Sequence, residues 1–109
     1  MRKITKFAST AFLLNRTFKR GNTEVVVSRI VGDGIDLTSS ALLLHNNLIA
    51  TLTFKDGKAI EMFITNAGWS SNTTKERLNG LPGVNIYQKN WQWYLNGEQW
   101  DGKLTKINF

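Results

Sequence analysis

From Gly21 onward the chain alternates apolar runs of strand length with clusters of turn-forming residues, and this punctuation constrains the fold more than any other feature. Glu24 to Val31, EVVVSRIV, is β-branched and lies between Gly21–Asn22 and Gly32–Asp33–Gly34, so it reads as a strand bounded by turns. A second, short strand is expected at Ile35 to Thr38. The stretch ALLLHNNLIATLTFKDGKAIEMFIT then carries two strand reversals, one at Asn46–Asn47 and one near Asp56–Gly57, and forms the hydrophobic centre. After Val84 the runs VNIYQK, WQWYL, EQW and KLTKINF are separated by Asn90, Asn96–Gly97 and Asp101–Gly102, which predicts a meander. Connections this short join antiparallel neighbours.

Side-chain alternation selects the register, because a slip of one residue moves every side chain to the other face. A three-residue loop Lys55–Asp56–Gly57 pairs Leu52 with Ile60, Ala50 with Met62 and Leu48 with Ile64, and gathers the apolar residues on one face. A two-residue turn there would split them. By the same logic a Lys89–Asn90 turn places Ile86 opposite Trp93 and Val84 opposite Leu95, and Asn96–Gly97 places Trp93 opposite Trp100. Trp91, Trp93 and Trp100 are thus expected inside, with Tyr87 and Tyr94 on the outer face.

Two helices complete the expected fold. Ile4, Phe7, Ala8, Ala11, Phe12 and Leu14 share one broad helical face, with Arg2, Lys3, Lys6, Ser9 and Thr10 elsewhere; such a helix would dock on the sheet. A short internal helix is predicted after Ser71, with Thr73 as N-cap, Glu76 completing a capping box and Gly80 as the stop; Leu78 and Leu81 are expected to pack it down. The fold class is α+β: one domain over residues 1–109, an antiparallel sheet of hairpins with an amphipathic N-terminal helix and one short capped helix.

Charge divides the chain unevenly. Of its fourteen basic residues, Arg2, Lys3, Lys6, Arg16, Lys19 and Arg20 fall in the first twenty positions, where there is no acid, and eight basic residues face eight acidic ones from Gly21 on. The net charge of +6 therefore belongs to a basic N-terminal arm, residues 1–20, attached to an electroneutral body, residues 21–109. Blocks of like charge are often interaction arms.

Catalytic chemistry finds no foothold. There is no cysteine, which removes disulfides, thiolate metal sites and cysteine nucleophiles. His45 is the only histidine and has no nucleophile motif beside it; it reads as a residue flanking a turn. Asp33 and Asp36 in GDGID lack the further oxygen ligands and closing glutamate of a calcium loop. No catalytic residue, metal or cofactor is assigned, and a protein that acts by binding rather than as an enzyme is expected. No membrane segment is expected either, since no apolar run approaches spanning length.

The cations and tyrosines are what remain for binding. Arg2, Lys3, Lys6, Arg16, Lys19 and Arg20 suit phosphates; Lys75 and Arg77 on the short helix add two cations that could reach phosphate, against the alternative of a merely solvated face; Tyr87, Lys89 and Tyr94 offer stacking and charge.

LHNNLIA (44–50), NAGWSSNTTKERLNGL (66–81) and IYQKNWQWYLNGEQWDG (86–102) resemble a family of small proteins encoded by tailed bacteriophages, the most specific part being TTKERLNGL followed by IYQK and WYLNG. The resemblance implies expression in the cytoplasm of a bacterial host cell and carries no site residues with it. In that setting the first expectation is a nucleic-acid-binding accessory protein, for DNA or RNA. The alternative is an anti-defence or host-takeover inhibitor, such as an anti-CRISPR protein, bound to a host protein or ribonucleoprotein; a third is a virion-associated structural protein.

Overall fold

A computed structural model describes all of residues 1–109. Helix α1 (Lys3–Leu13) leads into five strands joined by tight turns, β1 (Phe18–Arg20), β2 (Thr23–Gly32), β3 (Ile35–Leu44), β4 (Asn47–Lys55) and β5 (Lys58–Ile64). Helix α2 (Asn72–Leu78) follows, and then a small sheet of β6 (Ile86–Lys89), β7 (Gln92–Leu95) and β8 (Glu98–Gln99). The last strand, β9 (Thr105–Ile107), returns to the large sheet, whose order is β1-β2-β3-β4-β5-β9, antiparallel throughout. The expected terminal meander therefore breaks before β9, which pairs with β5 and buries Ile107 against Met62. The expected short second strand is instead the whole of β3, paired with β2 over ten consecutive positions.

Turn geometry corrects the expected registers. Asp33–Gly34, His45–Asn46 and Asp56–Gly57 all have positive φ at both residues, the type I′ signature whose twist matches a two-residue hairpin. The first reversal is thus at His45–Asn46, one residue earlier than expected, because the His45 N–H is held by the Asn22 carbonyl at 2.8 Å. The second is a two-residue loop, since Lys55 pairs with Lys58, and an extra residue, Ile60, is taken up as a bulge before Thr53 pairs with Glu61. Leu52 consequently faces Met62, and Ala50 faces Ile64. The bulge restores the face that a bare two-residue turn would have lost, so these four side chains are buried together while Ile60 is left outside. A second bulge, opposite Leu42–Leu43 of β3, takes up Ile49 as the extra residue of β4, so that Ile49 and Ala50 are both inside and Leu48 is exposed.

In the small sheet the turn is Asn90–Trp91, not Lys89–Asn90. Asn79 sets this register from outside the hairpin, donating to the Ile86 carbonyl at 2.9 Å and accepting its N–H at 2.6 Å. Ile86 then pairs with Leu95 and Tyr87 with Tyr94. The shift is two residues, so the faces hold: Ile86, Trp93 and Leu95 are buried, and Trp93 stacks on Trp100 at 6.2 Å between centroids. Trp91, expected inside, leaves the strand for the turn and is 94% exposed at φ 67°.

Helix α1 docks on the sheet with its face rotated from the expected one. Thr5, Ala8, Ser9, Ala11 and Phe12 are buried, whereas Phe7 and Leu14 are exposed. Polar contacts cause the rotation: the Thr5 hydroxyl donates to Glu76 and accepts from Arg77. Gly80 makes room for it, since a Cβ there would lie 2.5 Å from Thr5 Cγ2. The cap of α2 is Ser71 rather than Thr73, its hydroxyl accepting the Thr74 N–H at 3.1 Å. Glu76, freed from any capping box, is spent on Thr5.

Candidate nucleic-acid interface

The basic arm is built into the fold as α1 and β1. Arg2, Lys3, Lys6, Arg16, Lys19 and Arg20 are all exposed, and none forms an ion pair within the protein. Sequence neighbours explain the lack of partners, because the acids all lie in the body of the chain. Arg20 is the most firmly placed of the six: its guanidinium stands 5.3 Å from the Phe7 ring centroid and 5.9 Å from that of Phe18, a cation–π seat between helix and strand. The exposed Phe7 ring thus supports a cation rather than the core.

The other expected contacts are dispersed. Arg77 is not a surface cation: it is 2% exposed, donating from Nε to Thr23 Oγ1 at 2.9 Å and from one terminal nitrogen to Thr5 Oγ1 at 2.9 Å and Glu76 at 3.4 Å. Burial pushes its pKa below the ordinary value, the nearby Arg2 charge pushes the same way, and Glu76 opposes both. It joins α1, α2 and β2 and has no free face for phosphate. Lys75 is half-buried with its ammonium 5.7 Å from the Trp93 ring. Lys89 is exposed beside the β6–β7 turn. Tyr87 and Tyr94 form a cross-strand pair, ring centroids 5.3 Å apart and planes within 13°, so one face of each ring is already occupied by the other.

Beside the basic surface lies a cleft of about 370 Å³ that the sequence reading missed. Leu44 and Ile49 line it with apolar surface, and His45, Asn47, Asn66, Trp69 and Thr73 are among its other walls. Trp69 is presented by a tight turn: its N–H bonds the Asn66 carbonyl at 2.9 Å, Asn66 Oδ1 accepts the Gly68 N–H at 2.8 Å, and Ala67 and Gly68 both have positive φ. The indole is 62% exposed. His45 connects the cleft to the arm, through Asn22, which follows Arg20 after one glycine and contacts His45 by both backbone and side chain. A smaller cleft of about 180 Å³, with Trp91 on its rim, lies on the other side of Asn66.

A family model for the Kyanoviridae Gp96 protein matches residues 1–109. The chain belongs to that family. It is therefore a tailed-phage protein, as the resemblance in its second half implied. No curated protein and no solved structure matches it. No helix of this Gp96-family chain is long and apolar enough to cross a membrane.

One signal for the missed cleft was present in the Gp96-family sequence: Trp69 stands in NAGWSSN, among Gly, Ser and Asn that supply a turn and no packing partner. A tryptophan in turn-forming company is a candidate for display.

Proposed function

We propose that this phage accessory protein acts without catalysis, by binding nucleic acid through the α1–β1 surface. The observation that carries the reading is the set of six exposed cations on one structural unit, none paired with an acid. Unpaired cations retain counterion-releasing capacity, the main source of affinity for a polyphosphate. The electroneutral remainder confines the electrostatic footprint to this unit, and the Tyr87–Tyr94 pair serves the small sheet. The test is binding to duplex and single-stranded oligonucleotides across a salt series. Six phosphate contacts give a slope of log K against log salt of about −5 on duplex and about −4 on a single strand. Replacing Lys3 and Lys6 by alanine reduces the duplex slope by about 2, and a slope near zero in the parent protein would overturn the reading.

A second reading, an anti-defence or host-takeover inhibitor that binds a host protein, draws on the β2 edge. β1 covers only Thr23 to Val25, so Val26 to Gly32 forms an unpaired edge, with Val26, Ile30 and Val31 exposed. Long apolar edges of this kind accept an added strand. This reading predicts a stoichiometric complex that survives nuclease treatment and is lost on Ile30→Lys.

A further inference from the structure

We propose that the Trp69 cleft seats one unpaired nucleobase, an assignment that rests on the reading of α1–β1 as a phosphate-binding surface and adds the group by which the strand would be held. No Lys, Arg, Asp or Glu lines the cleft, which favours an uncharged ligand group. Leu44 and Ile49 give it an apolar floor, both being buried, and Trp69 gives it a flat wall. A planar heterocycle satisfies both surfaces at once. A saccharide would stack one face on the indole but leave hydroxyls unpaired against Leu44 and Ile49, at a desolvation cost.

The polar groups suit the edge of a base. Asn66 is 7% exposed, and its Oδ1 is taken by the Gly68 N–H. Its Nδ2 makes no hydrogen bond within the protein and is backed against Gly102, where a Cβ would collide with the amide. Asn66 is thus held in place where it lines the cleft. The Thr73 hydroxyl is also unspent, and Asn47 donates to the His45 carbonyl at 3.3 Å while its Oδ1 stays free to accept. Donor and acceptor are thus available together, as base edges require.

Backbone strain points to the same place. Ala67 at φ 54° holds an L-residue in the left-handed region, and the outcome of that turn is an indole displayed to solvent. Residues held this way concentrate at ligand clamps. The neighbouring basic strand completes the arrangement: the β1–β2 turn, which follows Arg20, meets the cleft wall through the contacts of Asn22 with His45. Base in an apolar slot and phosphates on adjoining cations is the usual division in single-strand binding.

Two measurements test the assignment. Adenosine, guanosine, cytidine and thymidine, which carry no phosphate, are titrated while the Asn66 side-chain amide and the Trp69 indole are followed by NMR; glucose, galactose and N-acetylglucosamine serve as the contrast. Saturable shifts at both groups with at least one nucleoside and none with the sugars are expected. Separately, a short single-stranded DNA and an abasic strand of the same length are bound to the parent, to Trp69→Ala and to Trp69→Phe. Trp69→Ala is expected to weaken the base-bearing strand about ten- to hundredfold, leave the abasic strand unchanged, and be largely rescued by Trp69→Phe. No shift with any nucleoside, shifts with sugars instead, or equal loss on both strands would overturn the base-binding slot. A steep salt slope in the presence of those negatives would leave the basic surface standing alone; nucleoside binding with a flat salt slope would leave the slot standing and remove the basic surface.

Discussion

Arg77 Nε donates to Thr23 Oγ1 at 2.9 Å across 54 positions of sequence, tying the short helix α2 to the start of β2. A helix of seven residues is too short to persist on propensity, and this bond, with the partners Thr5 and Glu76, replaces what length would have supplied. Substituting leucine for Arg77 leaves two buried hydroxyls and a carboxylate without their cation. Arg77→Leu should destabilise the fold by about 3–5 kcal/mol in urea unfolding. A variant of parental stability with weakened nucleic-acid binding would instead put Arg77 in the interface.

Trp93 and Trp91 are two residues apart and should respond oppositely. Trp93 is buried and stacked on Trp100, so Trp93→Ala should cost about 3–5 kcal/mol. Trp91 is exposed in a type I′ turn at positive φ, where a bulky residue is strained. Trp91→Ala should fall within about 0.5 kcal/mol of the parent, and Trp91→Gly should raise stability by about 1 kcal/mol by relieving the turn. Thermal unfolding of the three variants decides it, with a destabilised Trp91→Gly as the contrary result.

Gly80 is needed for closeness rather than for backbone freedom. Its φ is not positive, but a Cβ would lie 2.5 Å from Thr5 Cγ2 and 3.3 Å from the Arg77 carbonyl. Gly80→Ala must push α1 from α2 and should cost about 1–3 kcal/mol. The double variant Gly80→Ala with Thr5→Ser, which removes the clashing methyl, should recover part of that loss in the same unfolding measurement.

Asp36 reports on the far end of the β2–β3 hairpin. Arg29 donates to it at 3.0 and 2.9 Å, and this hydrogen bonding holds the carboxyl below its ordinary value of 3.8, with desolvation opposing and the Arg29 charge assisting. A carboxylate with a depressed folded pKa contributes its stabilisation in full above the unfolded value and loses it as pH falls through the folded one. Asp36 should therefore titrate below 3.8 by carboxyl-carbon NMR and return to the ordinary range in Arg29→Gln. An unchanged midpoint would mean that the pair is not formed in solution.

The strand runs, the two helices and the α+β class were legible in the sequence because they depend on local periodicity and turn chemistry. Most faces survived the register errors for the same reason: side chains alternate with period two, and the registers at Asp56–Gly57 and at Asn90 missed by two residues, although bulges turned Ile60 and Leu48 outward and the second turn took Trp91. Tyr87 and Tyr94 stayed outside, and Met62, Ile64 and Trp93 stayed inside. The concentration of positive charge before Gly21 was legible in the same way, as was its helix, to which the structure added the strand β1.

What tertiary structure alone decided is where polar groups found partners. Nothing local marks Arg77 as buried: its bonds reach Thr5 and Thr23, far away in the chain, and only the packing of α1, α2 and β2 brings those hydroxyls to it. The same contacts rotate α1 and expose Phe7 as a seat for Arg20. Trp91 and Trp69 reached solvent because Asn79 fixed one hairpin from outside and the Asn66 turn presented the other indole. Alternation along a chain chooses a side, but the long-range hydrogen bonds choose which residue stands at the turn, which cation is enclosed and which ring is left in solvent.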